Sequence, residues 1–323
     1  MLHTRLCDLL GIEHPILSAP MAGTANAELA AAVSAAGGLG IIGGSNGDVE
    51  WLRGQIRAVR ERTNHPFGVG FISSRPGVAE LTAVAIAERV PVITHSFADP
   101  TPFVVPIHDA GLLMIAQVQT VAQAQIAARA GVDAIAAQGT EAGGHTGYSG
   151  ALPLIPAVVD VAGSIPVIAA GGIADGRGLA AAFMLGAEGV WMGSRFVASV
   201  EAAGGEWVKE RVVAASTDDT VLTKAYDIVN QAAFPPGIGD RVVRNDYTDA
   251  WHGHDADALA ARRPELRAQL DRAREEEDAR IAPTRAGNAV GLIHAIEPAG
   301  EIVRRIIAEA ERILRERPDQ VLR

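Results

Sequence analysis

Cysteine is almost missing from this chain. Cys7 is the only one in 323 residues, which excludes an internal disulfide and a cysteine metal cluster and suits a reducing, cytoplasmic compartment. Aromatic residues make up only 4%, so the core must be built from Ala, Val, Ile and Leu. No apolar run reaches the roughly 18 residues of a membrane-spanning helix. Met1-Leu2-His3-Thr4-Arg5 leads into Cys7-Asp8-Leu9, not into an apolar leader, so neither a membrane span nor a signal peptide is expected. Basic residues are outnumbered, giving a net charge of −10 with no basic stripe to neutralise phosphates, and a nucleic-acid partner is not expected.

Glycine and small apolar residues are plentiful. With 35 glycines and a 48% hydrophobic fraction, the chain reads as an α/β protein with many tight strand–helix joints. Apolar strands are expected at Pro15–Leu17, Leu39–Ile42, Phe67–Ile72, Val90–Thr94, Leu112–Val118, Val132–Ala137, Pro166–Ala170 and Gly189–Met192. Helices fall between them. Asn26 and Asp48 stand as caps before Ala27–Ala36 and the helix ending near Arg62. Val78–Glu88, Val121–Ala130 and Arg177–Leu185 follow; Phe103–Ala110 is broken by Pro106, and a short helix is expected near Ala157–Val161.

A local repeat supports the count, since at Gly37-Gly38, Gly131 and Gly186 a helix stops and the chain returns as a buried strand. Strict eightfold alternation points to a (β/α)8 TIM barrel of the α/β class, with a doubly wound open sheet as the alternative. Gly38-Leu39-Gly40-Ile41-Ile42-Gly43 has dinucleotide-motif spacing, but it closes a helix and contains a strand, so it is not a Rossmann fingerprint.

Residues 1–200 and 286–323 are therefore expected to form the barrel with a C-terminal helix. The charge-rich residues 201–285 read as a smaller, mostly helical insertion that shapes the substrate pocket. Pro298–Arg317 is amphipathic and can pack on the barrel or on a partner, which allows a homodimer. His252-Gly253-His254 lacks a third ligand nearby, and no metal is expected.

The chemistry is expected on the loops after the strands. Gln138-Gly139-Thr140-Glu141-Ala142-Gly143-Gly144-His145-Thr146-Gly147 follows the sixth strand with four glycines in ten residues, so its backbone can press against a flat ligand. It carries one carboxylate, Glu141, and one imidazole, His145, a side chain suited to proton transfer near neutrality. Ala170-Gly171-Gly172-Ile173 and Met192-Gly193-Ser194-Arg195 follow the seventh and eighth strands, where α/β barrels commonly hold a phosphate. Each motif also has a plain structural reading, as a glycine-rich turn.

Together with the first-strand segment Pro20-Met21-Ala22-Gly23 and the C-terminal Ala289-Val290-Gly291-Leu292-Ile293, these motifs resemble the nitronate monooxygenase family, formerly 2-nitropropane dioxygenases, and the related flavin enoyl-ACP reductases. The resemblance implies an FMN-binding barrel. By it Met21, Ala22 and Gly23 contact the isoalloxazine, Gln117 and Gln138 offer amides to the flavin, and Gly143 and Gly144 pass under it. Gly171, Gly172, Gly193 and Ser194 hold the phosphate, and His145 is the catalytic acid/base. Gly70 departs from the pattern, standing where many nitronate monooxygenases carry an asparagine near the flavin, and leaves the subclass open. The implied reaction is FMN-dependent oxidation of alkyl nitronates, or nitroalkanes, with O2 to a carbonyl compound and nitrite. The same site suits NAD(P)H-dependent reduction of quinones or enoyl thioesters. A phosphate-binding barrel isomerase or lyase using Glu141 and His145 is the alternative without flavin.

Overall fold

The computed structural model describes residues 2–322. Eight parallel strands form the barrel: β1 (Ile16–Ser18), β2 (Gly40–Gly43), β3 (Phe67–Ile72), β4 (Val92–Ser96), β5 (Leu113–Val118), β6 (Ala134–Gln138) and, after a short strand β7 (Gly144–Thr146), β8 (Val167–Ala170) and β9 (Gly189–Met192). They pair in the order β1-β9-β8-β6-β5-β4-β3-β2, and a parallel bridge between Leu17 and Leu39 closes the ring. This is the (β/α)8 barrel expected from the alternation.

The strands read as continuous apolar runs because both faces are buried. On β6, Ala134 and Ala136 point into the barrel with Leu17, Ile41, Val92, Ile115 and Ile168, while Ile135 and Ala137 face the surrounding helices. The helix Arg5–Leu10, absent from the sequence expectations, places Leu6, Cys7 and Leu10 in that interior cluster. A Cβ on Gly189, at the start of β9, would lie 2.5 Å from Leu6, so this helix plugs the end where the strands begin. Only the C-terminal end of the barrel is left for a ligand.

Local signals account for most helices. Asn26 accepts from the Leu29 amide at 2.9 Å and Asp48 from the Trp51 amide at 2.8 Å, starting the helices Ala27–Ala35 and Val49–Arg62. The helix expected near 157–161 is longer, Ala151–Ala162. Pro153 lies in its first turn, where a missing N–H costs nothing, and the helix continues through Pro156. The C-terminal helix Ala299–Val321 packs on the barrel, burying Ile302, Val303, Ile306, Ile307 and Ala310.

Residues 201–285 carry helices, as expected, and also two strands, β10 (Thr220–Thr223) and β11 (Gly239–Val243). These pair antiparallel with each other, and β11 pairs antiparallel with β7 of the barrel loop. The result is a cap with its own apolar centre of Val221, Tyr226, Val242, Tyr247, Leu266 and Leu270. A ladder between segments this far apart in sequence leaves no local trace.

Candidate active site

Strand parity brings the site together. Gln117 follows Ile115 and Gln138 follows Ala136 at a spacing of two, so both amides point inward at the open end of the barrel. Trp191 and Ala170 complete the same inner layer from β9 and β8. The loops beyond it surround a cavity of about 550 Å³. Met21, Ala22, Gly23, Gln117, Gln138, Gly143, Gly144, His145, Gly171, Gly172, Gly193 and Ser194 all lie on its wall. A depression of about 350 Å³ between Asp246, Arg272 and Arg280 includes none of them.

The glycines of the wall do different things. Gly171 and Gly172 take φ of +95° and +74°, a region that side chains rarely adopt. Gly143 instead presses on protein: a Cβ there would lie 2.5 Å from the backbone of Ala286, where the chain returns and Asn288 donates to the Glu141 carbonyl at 2.9 Å. Gly193 differs again, with φ of −103° and room for a Cβ at 3.5 Å from Met21 and 3.7 Å from Ala19. Ser194 Oγ accepts from the Gly287 amide at 2.8 Å, so its own proton is free for a ligand.

Polar groups at the floor are incompletely matched. Gln138 accepts from Gln119 at 3.0 Å and donates to the His145 carbonyl at 3.2 Å, tying β6 to the histidine strand. Gln117 Oε1 and Trp191 Nε1 are buried with no partner among the described residues, each a cost of about 1–3 kcal/mol until a polar partner meets it. Glu141 is committed to protein: its carboxylate accepts from the Ala151 amide at 2.9 and 3.1 Å and starts the helix there.

His145 stands on β7, held from the cap. Its Nε2 meets Asp227 Oδ1 at 2.9 Å, and Phe234 stacks on its ring at 3.5 Å between centroids and 15° between planes. Asp240, its register partner on β11, is fully buried and accepts two hydrogen bonds from Arg285 Nε at 3.0 and 3.1 Å. The carboxylate of Asp240 holds the Arg285 guanidinium above its usual range. Phe97, on the wall, approaches His145 edge-on at 6.4 Å and sits at φ +66°, a conformation that costs a bulky residue on the order of 1–3 kcal/mol.

Donor atoms of His145, Asp227 and Asp240 lie within 4.8 Å of one another, a spacing that also suits a metal ion. The cation at this cluster is the Arg285 guanidinium. Among the described residues His252 and His254 join no such group. The sequence reading missed Asp227 and Phe234, which stand 82 and 89 positions from His145, and it gave no role to Trp191. The only local hint at Asp227 is its place beside Tyr226, which is fully buried, stacks on Tyr247 at 4.7 Å and anchors the helix Ala225–Asn230.

Residues 3–86 and 77–309 match the family model for nitronate monooxygenase. A Mycobacterium tuberculosis protein, (3aS,4S,5R,7aS)-5-hydroxy-7a-methyl-1-oxo-octahydro-1H-indene-4-carboxyl-CoA dehydrogenase, is 37% identical over 250 residues, covering 77% of this chain and 68% of the relative. A probable nitronate monooxygenase of Staphylococcus aureus is 35% identical over 303 residues, covering 76% of this chain and 85% of its own. Among solved structures, FabK from Thermotoga maritima superposes with a TM-score of 0.87 at 39% identity, over 99% of this chain and 100% of FabK. Nitroalkane oxidase from Streptomyces ansochromogenes gives 0.82 at 27% identity, over 96% and 99%. No helix among the described residues is long and apolar enough to cross a membrane.

Proposed function

The chain belongs to the nitronate monooxygenase family of flavin oxidoreductases, and from that premise we propose that it binds FMN and oxidises alkyl nitronates with O2 to a carbonyl compound and nitrite. The observation that carries the proposal is the placing of His145, braced by Asp227, on the wall of a cavity whose other walls suit a flavin mononucleotide. The fit is chemical. Gln117 Oε1 and Trp191 Nε1 need polar partners, Ser194 has a proton to give, Gly193 carries no side chain beside Met21 and Ala19, and Gly171 and Gly172 turn at positive φ against Gly139 and Glu141.

In this reading Gly171, Gly172, Gly193 and Ser194 hold the phosphate, while Met21, Ala22, Gly23, Gln117, Gln138, Gly143 and Gly144 bound the ring and ribityl chain. The flavin supplies the electron exchange, and the protein supplies orientation and charge. His145 removes the α-proton of a neutral nitroalkane or, when protonated, attracts a nitronate. Much of the cavity would be taken by the cofactor, so the room left beside Phe97 and His145 suits a short alkyl substrate. The proposal includes the division of the chain, with the barrel from 1–200 and 286–323 and a pocket-shaping cap from 201–285.

A specific observation favours a second reading, NAD(P)H-dependent reduction of an enoyl thioester or quinone. A Cβ on Gly70 would lie 2.4 Å from Pro20 and 2.6 Å from Thr94 Oγ1, so the asparagine of many nitronate monooxygenases has no room here. FabK, similar over the full length, and the carboxyl-CoA relative point the same way. Arg75 and Arg274 on the cavity wall offer positive charge to a phosphate-bearing substrate.

Anaerobic mixing of the FMN-loaded protein with nitronates, neutral nitroalkanes and NAD(P)H, followed by flavin absorbance, separates the readings. Bleaching by nitronates supports the first. Bleaching by NAD(P)H, reversed by a quinone or enoyl thioester, transfers the protein to the second. A protein that cannot be reconstituted with FMN removes both and leaves the isomerase or lyase.

Gly193→Val tests the phosphate assignment more cleanly than a change at Gly171 or Gly172, where positive φ would strain any side chain. Its Cβ meets only ordinary contacts, and the added bulk lies on the cavity wall. FMN affinity is expected to fall roughly tenfold or more, the scale of overpacking a formed site. The melting temperature of the FMN-free protein is expected to hold. Equal damage to both would assign Gly193 to folding.

A further inference from the structure

We propose that Asp227 is a positioning residue for His145, and that it makes Nδ1 the ring nitrogen that exchanges a proton with the substrate. The inference rests on the reading of His145 as the acid/base of a flavin site. Each ring nitrogen of a histidine has one role at a time, and the bond made by one decides what the other can do. Here Nε2 is engaged with Asp227 Oδ1 at 2.9 Å. A carboxylate can only accept, so Nε2 carries the hydrogen and the neutral ring presents a bare Nδ1. That atom has no hydrogen-bond partner among the described residues, and His145 lies on the cavity wall.

The surrounding charges support the same assignment. Asp227 comes from the helix Ala225–Asn230 and Asp240 from β11; Arg285 faces Asp240, and the Tyr226 phenol, pushed up by burial, stays neutral. Asp240 is paired with Arg285, and the neighbouring Arg274 is paired with Asp271, which leaves the negative charge of Asp227 for His145. The cluster becomes electroneutral when His145 gains a proton. When Nδ1 takes an α-proton from a neutral substrate, the C–H bond breaks and its electron pair stays on the substrate. The imidazolium that forms is then matched by Asp227. Phe234 stacks on the ring and holds its plane, so Nδ1 keeps one direction. Asp227 itself is not on the cavity wall, so it acts through the histidine.

Nitrogen NMR of the FMN-loaded protein labelled with ¹⁵N-histidine, with His145→Ala identifying the resonance, reads the tautomer directly. Neutral His145 is expected to carry its hydrogen on Nε2. Asp227→Asn, whose amide can donate as well as accept, is expected to give a mixture of tautomers. It should lower kcat roughly 10²-fold or more, the scale of losing a positioned proton-transfer group, with KM and FMN retention little changed. Asp227→Glu should recover part of the loss. A wild-type ring protonated at Nδ1, or an Asp227→Asn protein with wild-type tautomer and kcat, would overturn the assignment. Failure of the flavin reading would show separately, as a wild-type protein that binds no FMN, and the tautomer of the wild-type ring would still decide the role of Asp227.

Discussion

His145→Ala is expected to keep FMN bound and to lose roughly 10²–10⁴ of its turnover on neutral nitroalkanes, the range typical of removing a general base. Preformed nitronates should lose much less. Their α-proton is already gone, so only the electrostatic help of the imidazolium disappears. FMN retention should hold because the ring is braced from the cap side, by Asp227 and Phe234, and the phosphate-side glycines are untouched. No other group near the loop replaces the base: Glu141 is tied to the Ala151 amide, and Asp240 is buried against Arg285. Steady-state oxygen consumption with both substrate forms is the measurement. Equal turnover of neutral nitroalkanes by variant and wild type would remove His145 from the role. NAD(P)H oxidation by the wild type with neither nitro form consumed would move it to proton donation in the second reading.

The contrast between His145 and Asp227 shows how far the sequence could be read. His145 was visible because it sits in a glycine-rich stretch directly after an apolar run. The barrel was visible for the same kind of reason, as runs such as Ala134–Gln138 and Val167–Ala170 are buried on both faces and stop at glycines. Gln117 and Gln138 were named through the family resemblance, and the structure shows the spacing of two from Ile115 and Ala136 that puts them in the inner layer. Asp227 could not be found in this way, since beyond its place beside the buried Tyr226 nothing in its own helix distinguishes it from a solvated acidic residue. Its role comes from the pairing of β7 with β11, which folds the cap over the barrel. The glycines were legible as a group but not individually. Gly143 meets Ala286 and Gly139 meets Ala151, both protein contacts made across chain crossings, whereas a Cβ at Gly193 would meet Met21 and Ala19 only at ordinary contact distance.

Stability should fall with acid through a residue outside the site. His95, at the C-terminal half of β4, is 1% exposed and stacks on Phe103 at 3.9 Å, with Ser73 Oγ 2.9 Å from Nδ1 and Thr82 Oγ1 3.4 Å from Nε2. Among the described residues no carboxylate pairs with it, and burial pushes the imidazole down from 6.5 to about 3. The unfolded chain therefore takes up a proton below about pH 6.5 that the folded protein refuses until about pH 3. The stability that His95 contributes is complete above pH 6.5 and is lost progressively as the pH falls through that window. Between pH 7.5 and pH 5 the loss from this residue is about 2 kcal/mol, a sizeable part of the roughly 5–15 kcal/mol of a folded domain. His95→Gln keeps a flat polar group beside Ser73 and Thr82 but cannot take up the proton. The variant is expected to be weaker than wild type at pH 7.5, through lost stacking, and to show a shallower decline toward pH 5. Urea unfolding at the two pH values gives both slopes, and other titrating groups cancel in the comparison. Parallel slopes would mean that His95 accepts its proton without unfolding, and that Ser73 or another neighbour stabilises the charged ring.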